Sequence, residues 1–252
     1  MNDNWLFDKL TLGIRHKRTF AVTDKIGEFA DLIIPLQGIS PFPEKCFSKI
    51  GHPDKYSVEL MDDERTLSVI YNTDGLVLTC DMLAEPPLDS KTVLEMFSEI
   101  SQRAIPLTEG KNKIDRLGAV LQYSLSPFSN SAKTLLSHIL NPSINFKGIP
   151  DEFYFKFALK NPSSEAVYHP GQKADYKNAF IRLVSSREKE DEEEETEAFP
   201  NNIKLAIDYQ WYFEPLHTFK PTNINSLFLE AKHYVDNIVE PHFNFHSLIS
   251  SE

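Results

Sequence analysis

"NIKLAIDYQWYFEP", residues 202–215, sustains the most regular alternation in the chain. Ile203, Leu205, Ile207, Tyr209, Trp211 and Phe213 fall on one side; Lys204, Ala206, Asp208, Gln210 and Tyr212 fall on the other. A period of two belongs to a β-strand, whose successive side chains point to opposite faces. One apolar and one polar face predict an antiparallel sheet with a core on one side.

Upstream, "KNAFIRLVSS" (177–186) and "DEFYFKFALK" (151–160) read as further strands. In the latter, Phe153, Phe155, Phe157 and Leu159 oppose Tyr154, Lys156, Ala158 and Lys160. "YSVELMD", "RTLSVIYN" and "GLVLTCDML" form a β-meander over 56–82, with Asp74-Gly75 as a hairpin signal. "IDRLGAVLQYSLSP" (114–127) is another strand. "TFAVTDKIGEFADLII" (19–34) fits one or two strands and a helix almost equally well.

Helices punctuate these strands. Residues 90–104 place Val93, Met96, Phe97, Ile100 and Ala104 at helical spacing, with Asp89 or Ser90 as N-cap and Pro106 as the stop. "SNSAKTLLSHILNP" (129–142) is a short helix carrying His138. A closing helix over 223–240 has Leu227, Ala231, Tyr234, Val235 and Ile238 as its apolar stripe. The fold class is therefore α+β, with antiparallel sheets and helices packed on one face. Strands followed by a helix occur twice, which fits two similar lobes, 1–110 and 111–252, while the length equally allows one large α+β unit.

"REKEDEEEETEAFP" (187–200) is unlike the rest. Within 187–197, eight acids and two bases give −6 of the total −11, so the remaining chain carries −5. A block of like charge repels itself and extends. It has no glycine or regular alternation of ligands, as a calcium loop needs. Residues 187–198 therefore form a solvated hairpin tip between two strands. Overall acidity disfavours direct nucleic-acid binding, which needs a basic surface. "GIRHKR" (13–18) is the densest basic run and reads as a solvated turn or strand end.

Cys46 and Cys80 form no C-x-x-C pair, which suits a reducing compartment. No basic start with an apolar stretch opens the chain, and no run approaches a membrane span, so no membrane is expected and the location expected is cytoplasmic. Nine scattered glycines contain neither G-x-G-x-x-G nor G-x-x-x-x-G-K, and there is no G-x-S-x-G elbow. No catalytic residue, cofactor or metal is assigned. His242 and His246 stand four apart, behind Pro241, in a C-terminal tail. The only catalytic alternative is Asp208 with Lys204 on one strand face, joined by the meander acids Asp62, Asp63 and Asp81 in a metal-dependent nuclease or nucleotide-processing site.

"TLSVIYNTDGLVLTCDM" (66–82), "IDRLGAVLQYSL" (114–125) and "NIKLAIDYQWYF" (202–213) with "LFLEAKHYVDNIVEPHF" (227–243) together resemble a sporadically distributed bacterial family of uncharacterised proteins of about this length. The chain departs from it after Arg116, where the family tends to an "RYIN"-like ending and this chain has "LQYSL". The family has no established activity. The resemblance implies a two-lobed α+β protein and an accessory role in mobile or antiviral defence loci.

The functional expectation is a non-enzymatic protein-interaction or accessory subunit of a multi-component system. Its contacts with a protein partner, one with a basic surface, would come from Glu190, Glu192, Glu193, Glu194 and Glu195 of the acidic run and from Tyr212 on the sheet. The oligomeric state stays open.

Overall fold

The alternation of residues 202–215 becomes the longest strand of the structure. The computed structural model describes residues 5–51, 56–64, 66–107, 113–125, 153–160, 175–186 and 202–239. Nine strands occur in these residues: β1 (Trp5–His16), β2 (Lys49–Gly51), β3 (Ser57–Met61), β4 (Leu67–Asn72), β5 (Gly75–Asp81), β6 (Lys113–Leu125), β7 (Phe153–Lys160), β8 (Tyr176–Ser186) and β9 (Asn202–Thr218). They form one sheet in the order β2-β3-β4-β5-β1-β6-β9-β8-β7, antiparallel at every pairing. The helices are α1 (Ala21–Asp24), α2 (Ile26–Ile33), α3 (Ser90–Ala104) and α4 (Pro221–Tyr234), the last continuing as a π-turn over Val235–Val239.

On β9 the odd residues Ile203, Leu205, Ile207 and Tyr209 are buried, and Lys204 is exposed. The meander appears as β3, β4 and β5, and α3 begins where Asp89 accepts a hydrogen bond from the Thr92 amide at 2.8 Å. That cap satisfies one of the orphan amides of the first turn. The hairpin at Asn72–Gly75 is also present, but its glycine is there for another reason than the turn. Among the described glycines only Gly38 has positive φ. A Cβ on Gly75 would lie 2.1 Å from the Ile14 carbonyl oxygen, so close approach of β1 excludes a side chain. Asn72 holds the turn itself, its Oδ1 accepting from the amides of Asp74 and Gly75 at 2.9 and 3.0 Å.

Two elements stand apart from the sequence reading. Residues 19–34, which fit strand and helix about equally, contain α1 and α2. Phe29, Ala30 and Ile33 are buried there, and the Phe29 ring meets Tyr71 of β4 at 5.0 Å. Core packing decides between two local preferences of similar strength. β1 was not anticipated as a strand, although it is central. Leu10, Leu12 and Ile14 are buried on it, each contributing about 1.5–3 kcal/mol by leaving water.

β1 also joins the two parts of the chain. It pairs with β5 on one side and with β6 on the other, where Gly13 stands opposite Gly118 and Arg15 opposite Arg116. The strand order reads the same outward from this pair: β5, β4, β3 beside β1, and β9, β8, β7 beside β6. One row of sheet side chains meets the helices. Tyr71 donates to the Ala104 carbonyl of α3 at 3.0 Å, and Tyr209 donates to Glu230 Oε1 of α4 at 2.7 Å. Lys177 of β8 pairs with the other oxygen of Glu230, so α4 is tied to two strands.

The strands flanking the acidic run pair as a hairpin should, Ser186 opposite Asn202. Residues 187–198, the helix read over 129–142, and the pair His242 and His246 lie outside the described residues. Among the described residues no helix is long and apolar enough to cross a membrane.

Candidate functional site: the open face of the central strands

Directly paired residues in an antiparallel sheet share a face. The register therefore places Arg15, Gly13 and Thr11 of β1 beside Arg116, Gly118 and Val120 of β6, and those beside Tyr212, Gln210 and Asp208 of β9. This row lies opposite the buried one. Its middle has almost no side chains, because Gly13 and Gly118 face each other and Gly75 lies opposite Arg15. The result is a groove of about 320 Å³ with a glycine floor. Arg15, Arg116, Asn72, Asp74, Asp208 and Gln210 stand along it.

Tyr212, Gln210 and Asp208 form a polar relay along one strand. The tyrosine hydroxyl donates to Gln210 Oε1, and Gln210 Nε2 donates to Asp208 Oδ2 at 2.7 Å. Burial raises the Asp208 pKa, against the opposing pull of the Gln210 hydrogen bond and of Arg116. The Tyr212 ring is shared by two cations, with Arg116 5.7 Å and Arg15 5.9 Å from its centroid. On its far side Tyr176 stacks against it, 4.7 Å away and within 5° of parallel. Arg15 also holds Asp115 at 2.7 Å, and that hydrogen bond raises the arginine's own pKa. Arg116, by contrast, makes no ion pair or hydrogen bond among the described residues.

The structure thus brings Asp208 and Tyr212 into one site. Lys204 shares their face but lies near the opposite end of β9, across from Ser124 and Val184 and away from the groove. The meander acids are elsewhere too. Asp62 caps the β3–β4 turn, accepting from the amides of Thr66 and Leu67 at 2.7 and 3.1 Å, and Asp81 accepts from the Leu83 amide at 2.9 Å. They line a separate cavity of about 310 Å³ together with Cys46 and Cys80. Burial pushes those thiols up to about 11 and about 12, so both stay protonated at neutral pH and are poor nucleophiles. Among the described residues no three of His, Cys, Asp and Glu converge as metal ligands would. The acidic residues Glu190 and Glu192–Glu195 lie outside the described residues.

Arg15, Arg116 and the three glycines were not identified as site residues from the sequence. Arg15 sits in "GIRHKR", where the basic neighbours Lys17 and Arg18 mask its place beside Tyr212. A scan of protein-family models finds none that matches the chain, and no curated protein is significantly similar to it.

The buried carboxylate gives one expectation. The folded protein holds the Asp208 proton more tightly than the unfolded chain does, so this group favours folding most at pH below the ordinary aspartate value near 3.9. That advantage is lost as pH rises through the raised folded value. Asp208→Asn keeps an acceptor for Gln210 and removes the charge. Melting curves across pH are expected to show the variant at least as stable as the parent at pH 7, with the gap closing toward pH 4. A variant clearly less stable at pH 7 would show that Arg116 and Gln210 outweigh the cost of burial.

Proposed function

We propose that this protein is a non-enzymatic accessory subunit of a bacterial multi-component system, of the defence-associated kind that the family resemblance suggests. In this reading it binds a protein partner through the open sheet face around Tyr212 and through the acidic run of residues 187–197. The observation that carries it is how the charges in the groove are used. Asp208 is engaged by Gln210, Asp74 by Arg18, and Asp115 by Arg15. A general base or a set of metal ligands needs carboxylates available to substrate or metal. Here the carboxylates hold the protein's own side chains, while Arg116 and the stacked tyrosines stand partly exposed on the same face. That is the chemistry of recognition.

The acidic run supports the same reading, because charged groups exposed at an interface set the choice of partner and the speed of encounter. Two strands of matched register hold its ends, which makes it a removable element. Size-exclusion chromatography with light scattering, using the proteins encoded beside this one, tests the proposal. A complex of defined mass is expected, weakened by deletion of 188–197 and by Tyr212→Ala. The deletion should move the melting temperature by less than about 2 °C, as for a solvated surface change. Absence of any complex, or a deletion that unfolds the protein, would overturn it.

A further inference from the structure

The overall charge of −11 conceals a face of opposite sign. On the open row of β6, β9, β8 and β7 stand five cations, Arg116, Lys204, Arg182, Lys156 and Lys160, against Asp208, whose burial favours its neutral form, Asp115, which Arg15 holds, and the exposed Glu214 toward the end of β9. Lys204, Arg182, Lys156 and Lys160 are exposed. Exposed charges more than about 8 Å apart are screened from one another at physiological salt, so an approaching polymer meets the local sign before the total.

Aromatic rings are interleaved with these cations. Lys156 stands 5.9 Å over the Phe180 ring and Lys160 5.8 Å over Tyr176, and the Tyr176–Tyr212 stack leads on to Arg116 and Arg15. Tyr154, on the same row of the edge strand β7, is 61% exposed. From Lys160 to Arg15 this band crosses five adjacent strands, about 19 Å at roughly 4.8 Å per strand. Within it lies a buried acceptor in search of a donor. Asn178, opposite Gln210 on one side and Lys160 on the other, is 8% exposed, and its Oδ1 has no hydrogen-bond partner.

We infer that this face binds single-stranded nucleic acid. Cations take the phosphates, rings take unpaired bases, and the Asn178 oxygen accepts from a base amino group. An open sheet studded with aromatics suits splayed bases, in the way small sheet platforms stack two or three of them. The major groove of a duplex admits a helix or a two-stranded ribbon, and a broad sheet face does not enter it. An acidic peptide would satisfy the cations and leave the interleaved rings without a role. This inference goes beyond the adapter role above and stands or falls separately from it.

Fluorescence anisotropy of full-length protein with labelled oligo-dT and oligo-U, about a dozen nucleotides long, tests it. Binding is expected to weaken with salt, with a log–log slope of roughly −2 to −3.5 for three to five phosphate contacts. Tyr212→Ala should reduce affinity roughly tenfold through lost stacking. The pair Lys156→Glu and Arg182→Glu, both at exposed positions, should reduce it at least as much and flatten the slope, with an unchanged melting temperature; this arm survives if the Tyr212 variant fails to fold. Three results would overturn the inference: no binding by either the parent or the 188–197 deletion variant, equal binding of a blunt duplex, or equal competition by poly-glutamate. A lost oligonucleotide signal with an intact protein complex in light scattering would sink this inference alone.

Discussion

Tyr71→Ala is expected to remove about 3–5 kcal/mol of folding stability, the range for truncating a large buried ring. Tyr71 is fully buried on β4, where four elements meet. Its ring touches Phe29 of α2 at 5.0 Å and His16 of β1 edge-on at 6.1 Å. Its hydroxyl closes the end of α3 by donating to the Ala104 carbonyl at 3.0 Å. Alanine would leave a cavity between the sheet and two helices and unpair a helix-end carbonyl. Tyr71→Phe separates the two effects, costing about 1 kcal/mol for the hydrogen bond alone. Denaturant titration reads both, as midpoint shifts at constant slope. Equal losses in the two variants would show the hydroxyl, and not the ring, to be the anchor.

The second large effect falls on a residue with no side chain. Gly75→Ala would set a Cβ 2.1 Å from the Ile14 carbonyl oxygen and 3.2 Å from the Arg15 Cα. Both are backbone atoms of β1, so nothing flexible can yield, and the central strand must shift. Strain of this kind costs roughly 2–3 kcal/mol, or about 4–12 °C in melting temperature for a chain of this size. Gly13→Ala supplies the contrast. Its Cβ would find nothing nearer than 3.9 Å, so little stability should be lost while the groove floor is raised. If the two alanines melt alike, the close approach of β1 does not limit the fold. Because Arg15 stands opposite Gly75, the first substitution should also displace the cation beside Tyr212.

The contrast between these glycines shows what a sequence can and cannot display. β9, the meander and α3 carry their own evidence: an alternation, turn residues, and an N-cap three residues before the amide it serves. β1 lacks that evidence because its alternation breaks. The register shifts between Phe7 and Lys9, so Phe7 packs against Tyr123, ring centres 5.1 Å apart, from an odd position while Leu10, Leu12 and Ile14 face the core from even ones. A bulge inserts a residue and reverses the parity of everything after it. The site inherits this gap. Asp208 and Tyr212 were visible as the polar side of one strand, but Arg15 and Arg116 meet only through the β1–β6 pairing. No local pattern announces such a pairing. Glycine likewise signals turns in a sequence, whereas here three glycines make room.

The central place of β1 also has a cost during synthesis. Thr11 meets Thr79 across 68 residues, and Arg15 meets Asp115 across 100. A ribosome adding 5–20 residues per second takes roughly 5–20 s to supply that last neighbour. For all that time β1 carries Leu10, Leu12 and Ile14 with no native partner on at least one side. Non-local pairing of this kind is slow and exposes strand edges to other chains. The charges of Asp8 and Lys9 on this strand are the kind of feature that disfavours pairing of a waiting edge with the wrong neighbour. The bulge that hides β1 from a reader of the sequence forms only when β6 arrives to pair with it.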